Sequence, residues 1–256
     1  TTDMYTLAQA DVGTTLTVTA SYTDDQGTAE SVTSAATSAV ANVNDTPVGV
    51  VTITGIATEN EILTATNDLA DEDGLGAVSY QWSRDGSPIG GATSGTYTLT
   101  QADVGSEITV EVSYTDGEGT AESVTSSATS AVANVNDDPT GGVTITGVAA
   151  EDEVLTADSS TLADADGLGT LSHQWSRDGS PIDGATSSTY TLEQADVGAE
   201  ITVEVSYTDG EGASESVTSA GTSPVTNVDD DPTGGVTITG VATEDEVLTA
   251  DTSTLA

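Results

Sequence analysis

Carboxylates and asparagines gather at three equivalent places in this sequence: Asn44-Asp-Thr-Pro47, Asn136-Asp-Asp-Pro139 and Asp229-Asp-Asp-Pro232. The first two are each followed by an Asp-x-Asp-Gly element, Asp71-Glu-Asp-Gly74 and Asp164-Ala-Asp-Gly167, and then by Asp116-Gly-Glu-Gly119 and Asp209-Gly-Glu-Gly212. Hard cations take six to eight oxygens at about 2.3–2.6 Å, and carboxylates on flexible, Gly-containing loops can supply them. The spacing therefore predicts Ca2+ at the junctions. The central ligand set is Glu59, Glu61, Asp103, Asn136, Asp137, Asp138, Asp164, Asp166 and Asp209, with Glu211 beside it. The counterparts at neighbouring junctions are Asn44, Asp45, Asp71, Asp73, Asp116, Glu151, Glu153, Asp196, Asp229, Asp230 and Asp231. The competing explanation is a solvated acidic surface suited to salty water. Asp-x-Asp-Gly by itself lacks the spacing and closing Glu of an EF-hand loop; its recurrence beside a charged linker is what gives it weight.

Other chemistries find little support. There is no Cys, a single His and no phosphate-binding loop, so no nucleophilic or metal-hydrolytic constellation is in view and no catalysis is expected. His173 stands where the neighbouring copy has Tyr80 and reads as a packed or partly exposed ring. The only basic residues are Arg84 and Arg177, at equivalent positions, and each is expected to pair with a carboxylate near Asp103 or Asp196 rather than to bind an anionic glycan. Forty-three acidic residues give a formal charge of -41, which removes nucleic-acid binding and disfavours anionic membranes. No apolar run is long enough to span a bilayer. Without Cys or Lys, neither disulfides nor Lys–Asn isopeptide bonds can brace the fold, so another stabiliser is wanted.

The elements that position these groups follow from a stretch present three times, at residues 5–22, 97–114 and 190–207. In the middle copy Ile108, Val110, Val112 and Tyr114 alternate with Thr109, Glu111, Ser113 and Thr115, the period of a strand with one buried face. Tyr97 and Leu99 form a shorter strand before it. Gln101-Ala-Asp-Val-Gly105 turns the chain between the two, with Gly105 expected at positive φ and Asp103 bonding nearby backbone N–H groups. The copies are offset by 92 and 93 residues, which suits whole domains in tandem rather than a solenoid. The domain reading is residues 1–46 as the C-terminal half of one domain, 47–138 and 139–231 as complete domains, and 232–256 as the first part of another, a window on a longer array. Within 47–138, strands are expected at 50–54, 61–65, 78–84 and 97–99, a short edge piece at 87–91, then 108–114 and a run from Glu122 to Val135. Turns at short intervals and no helical periodicity predict an all-β antiparallel sandwich. Trp82 and Trp175 read as its core anchors. In such a sandwich the first loop and the Asp corner lie near the C-terminal pole, the second-to-third and sixth-to-seventh strand loops near the N-terminal pole.

Trp82-Ser-Arg-Asp-Gly86, Tyr97-x-Leu99, Ala102-Asp-Val-Gly105 and Tyr114 together resemble the bacterial immunoglobulin-like repeats of very large surface adhesins. The Asn-Asp-x-Pro junctions are similar to cadherin linkers. One departure is that Val112 is apolar near where the immunoglobulin pattern places an inter-sheet Cys. The resemblance covers essentially the whole chain. It implies a non-catalytic, extracellular or cell-surface spacer in an adhesin or biofilm-matrix protein, partnered by neighbouring repeats of the same chain, with the adhesive target elsewhere. The rivals are a subunit of an extracellular filament, in which copies associate, and a glycan-binding module.

Overall fold

The computed structural model describes residues 4–255. They fall into two compact units, Thr1–Val135 and Asn136–Ala256. The first unit begins with a hairpin of β1 (Thr19–Thr23) and β2 (Ala29–Thr33). Its sandwich follows: β3 (Val51–Thr54), β4 (Ile62–Asn67), β5 (Ser79–Arg84), β6 (Ser87–Pro88), β7 (Thr96–Thr98), β8 (Ile108–Thr115) and β9 (Ala121–Thr125). These strands form two antiparallel sheets, ordered β3-β4-β7 and β6-β5-β8-β9.

The second unit repeats the plan with β10 (Thr144–Thr146), β11 (Val154–Asp158), β12 (Ser172–Arg177), β13 (Ser180–Pro181), β14 (Thr189–Thr191), β15 (Ile201–Thr208) and β16 (Ser214–Thr218). Its sheets are β10-β11-β14 and β13-β12-β15-β16. A last hairpin joins β17 (Thr237–Thr239) to β18 (Thr249–Asp251).

The alternation in β8 places Ile108, Val110 and Val112 wholly out of solvent, with Tyr114 nearly so, and β15 repeats the pattern with the same eight residues. Trp82 on β5 sits at the centre, wholly buried. Its ring stacks on Tyr97 with centroids 5.8 Å apart. Its Nε1 donates to the Ser94 carbonyl at 2.8 Å, so the one polar atom of the anchor is satisfied. Val112 is part of this wholly buried face. Pro88 lies on the two-residue strand at the sheet edge, where its missing N–H costs no ladder bond. In residues 4–46 no strands cover Tyr22 and Val32, which are exposed, whereas Tyr114, the counterpart of Tyr22, is buried.

One expected element differs. The run from Glu122 to Val135 is regular strand only to Thr125. Beyond it the Ser126 and Thr129 hydroxyls accept hydrogen bonds from the backbone N–H groups of Val110 and Ile108, both at 3.1 Å, and so interrupt the ladder. The chain then rejoins the fold through single parallel bridges, Val104↔Val132 and Thr58↔Ala133.

Backbone bonds fix the two poles. Gly105 N–H to Val132 O (2.9 Å) and Glu59 N–H to Ala133 O (2.9 Å) bring the Asp corner and the β3–β4 loop to the C-terminal pole. Gly117 N–H to Asp73 O (3.0 Å) and Val48 N–H to Ala70 O (2.9 Å) bring the β8–β9 and β4–β5 loops to the N-terminal pole. This is the loop placement expected from the sandwich topology.

Candidate metal centre

The Asp corner is a structural device. Gln101–Asp103 forms a single 3-10 turn and Gly105 takes φ +77°, as the turn requires of a residue without Cβ. Asp103 is wholly buried. Its Oδ1 accepts from Arg84 Nε and Nη2, both at 2.7 Å. Its Oδ2 accepts from Tyr97 Oη (2.9 Å), Thr100 N–H (2.8 Å) and Thr100 Oγ1 (2.9 Å). Burial pushes the Asp103 carboxyl up, but the Thr100 N–H, Arg84, Tyr97 and the Thr100 hydroxyl together outweigh it and hold the group below the ordinary carboxylate value. Asp196 is likewise wholly buried and held by Arg177, Tyr190 and the Glu193 N–H. The oxygens of Asp103 and Asp196, which spacing puts among the cation ligands, accept from an arginine, a tyrosine and the backbone.

The N-terminal pole is different. In the first unit Asp71 accepts from the Asp73 N–H (2.9 Å) and from Tyr114 Oη (2.6 Å), which ties the loop to the core strand. Burial, then the bond to Asp71, raises the Tyr114 hydroxyl well above its usual pKa. Asp73, 5% exposed, receives the linker Asp45 N–H on Oδ2 and Gln9 Nε2 on Oδ1, both at 2.7 Å. Asp116, 6% exposed, has Oδ1 bound by the N–H groups of Glu118 (2.9 Å) and Thr120 (2.7 Å), while its buried Oδ2 has no hydrogen-bond partner. Asn44 Nδ2 donates to Glu122 Oε1 at 2.7 Å.

The second unit builds the same pole. Asp164 accepts from the Asp166 N–H (2.9 Å) and from Tyr207 Oη (2.6 Å). Asp166 Oδ2 accepts from the Asp137 N–H at 2.8 Å, and carboxylate oxygens of Asp137 and Asp166 lie within 4.8 Å of each other. Asp166 Oδ1 and Asp209 Oδ2 are buried without a partner. The loops carrying them are joined by Gly210 N–H to Asp166 O at 3.0 Å. Asn136 Nδ2 donates to Glu215 Oε1 at 2.8 Å. Gly169 lets the Asp164 loop lie against the end of β15, since a Cβ there would stand 1.9 Å from Thr208 O.

At the C-terminal pole Glu59 and Glu151 are buried and reach the linker N–H groups of Val135 (3.4 Å) and Val228 (3.2 Å). Glu61, Glu153, Asp138, Asp229, Asp230 and Asp231 are exposed. Spacing alone did not single out four amides: Gln9, which touches Asp73, and Asn42, Gln101 and Asn134, whose amide oxygens are buried without partners. Their signal was recurrence at fixed places in the repeat.

A buried ionised oxygen with no donor is costly, and such groups in folded proteins normally have partners. The paired loops therefore offer oxygen ligands, with no nitrogen or sulfur ligand among those named, the donor set that hard divalent cations take.

Fold and site together define a class: tandem immunoglobulin-like sandwiches with acidic poles. No family model matches the chain. Among curated proteins it is 30% identical over 183 residues to the "Highly immunogenic outer capsid protein" of Enterobacteria phage T4, a match covering 70% of this chain and 45% of that protein. The chain thus spans under half of that relative's length. Solved structures with partial likeness include the three N-terminal domains of the bacteriophage RB49 Highly Immunogenic Outer Capsid protein (21% identity, 82% of this chain and 70% of that one, TM-score 0.26). Others are a tetra-tandem repeat from the extending region of a large adhesion protein (20%, 91% and 61%, TM-score 0.29) and titin domains A168-A170 (15%, 87% and 77%, TM-score 0.28). The fold assignment rests on the sheets themselves. Among the described residues no helix is long and apolar enough to cross a membrane.

Proposed function

We propose that this chain is a non-catalytic, surface-displayed spacer whose immunoglobulin-like domains are held in line by Ca2+ at their junctions. The observation that carries this is the pair of buried, unpartnered carboxylate oxygens on Asp166 and Asp209, beside the linker residue Asp137. Linkers of a few residues leave little slack, so an ion shared between a linker carboxylate and a domain pole restricts the angle at that joint. The ions also offset part of the self-repulsion of a chain with net charge -41.

The test is chelation followed by scattering. Ca2+ should raise the melting temperature by mass action and narrow the distribution of end-to-end distances in solution scattering. Mg2+, which demands a smaller octahedral shell, should substitute poorly. If NaCl at matched ionic strength restores both properties, charge screening explains them and the calcium proposal falls. The similarity to a phage outer capsid protein favours a second setting, in which the array stands on a virion rather than a cell. Immunogold labelling of the source virions and cells separates the two.

A further inference from the structure

The amide of the Asp corner behaves differently in its three copies. Gln9 Nε2 donates to Asp73 Oδ1 at 2.7 Å, across a junction internal to the first unit. Gln101 presents a buried Oε1 with no partner. Gln194 Nε2 donates to Asn227 Oδ1 at 3.2 Å. Asn42 and Asn134, the counterparts of Asn227, also hold buried amide oxygens without partners. The sandwich fold leaves this side chain free to face whatever the junction offers.

In the first junction it offers an N–H to a carboxylate that is 5% exposed, next to the loop of Asp116, whose buried Oδ2 is bare. A donor there does part of what a cation would do. An amide can exchange a donor for an acceptor by a half-turn about its last bond.

We infer that Gln9 is a cation ligand through Oε1, beside the Asp73 and Asp116 carboxylates of the same unit. This rests on the calcium reading above and names a ligand that reading lacks. When an ion binds, the amide turns over, Oε1 faces the cation, and the Asp45, Asp73 and Asp116 carboxylates no longer need a neighbouring N–H. Within the first unit a neutral oxygen from one repeat then joins carboxylates from the next, which fills the shell without adding further negative charge.

The experiment uses the full chain with Gln9 changed to Leu in one variant and to Glu in the other. Ca2+ affinity is measured by calorimetry and melting temperature is followed with and without chelator. Gln→Leu should weaken Ca2+ about tenfold, since a shell oxygen is gone. Gln→Glu should melt lower than wild type in chelator, because like charges now meet at Asp73, and bind Ca2+ at least as tightly as wild type. A residue that served only as a donor to Asp73 competes with the ion for that carboxylate, so Gln→Leu would then leave Ca2+ affinity unchanged or raise it. Unchanged affinity in Gln→Leu, or weakened affinity in Gln→Glu, overturns the ligand role and leaves the calcium reading standing. Should the Leu variant fail to fold, Gln9→Met, unbranched and without the amide oxygen, takes its place. A wild-type chain indifferent to Ca2+ overturns both.

Discussion

Replacing Arg84 with Met removes the only basic group near Asp103. The buried carboxylate then loses both bonds on Oδ1 and keeps the three donors on Oδ2. Breaking a buried ion pair costs roughly 3–5 kcal/mol, because one charge stays behind without its partner. Two features lower that here: the Arg84 side chain is 31% exposed, so water can follow it, and Tyr97 and Thr100 still solvate Asp103. The expected loss is about 2–3 kcal/mol. Urea denaturation of the full chain should show the first sandwich melting early while the second, held by Arg177 and Asp196, keeps its midpoint. The pH dependence supplies a second check. The folded pKa of Asp103 is lowered, so its contribution is fully present above the unfolded value near about 3.9 and is lost as pH falls through the folded value. The Arg84→Met deficit at neutral pH should therefore narrow in acid. A loss under about 0.5 kcal/mol, the size of an ordinary surface substitution, or a deficit of equal size at acid pH, would show that the pair does not hold the corner.

Trp82→Ala should cost about 3–5 kcal/mol and unfold the first sandwich, read by circular dichroism; a folded variant would mean β5 is not central. Gly105→Val should destabilise through backbone strain alone, since a Cβ there meets nothing within 4 Å, and unchanged thermal stability would contradict φ +77°. At alkaline pH the Tyr190 hydroxyl, raised to about 12 by burial and by Asp196, holds its proton after the unfolded chain has lost it. Stability should thus decline as pH rises from about 10 to 12, and Tyr190→Phe should flatten that decline.

The strands were legible because the period of two in Ile108 to Tyr114 leaves one choice of buried face, and Trp82 and Tyr97 could hardly be placed anywhere but against it. Gly105 was legible for a similar reason, standing after an Asp in a corner. Asp103 was only half legible. Its pairing with Arg84 followed from charge scarcity, but spacing could not show that five donors converge on its oxygens. The strand past Thr125 was misjudged because Ser126 and Thr129 are good β formers whose hydroxyls, in this register, displace the ladder. Gln9 reads as a turn residue, since an amide beside a carboxylate has no signature until the next repeat folds against it.

β8 and β15 are the same eight residues with the same pattern of buried and exposed positions. Either strand would therefore fit the sheet of the other, and β5 has no chemical means of telling its proper neighbour from the copy farther along. What selects the right one is arrival time: a strand following β7 after a few residues meets its sheet before a distant twin can diffuse in. The fidelity of this array thus depends on proximity along the chain. An array pulled straight and released all at once surrenders that advantage, and neighbouring repeats then compete as equals for one another's strands.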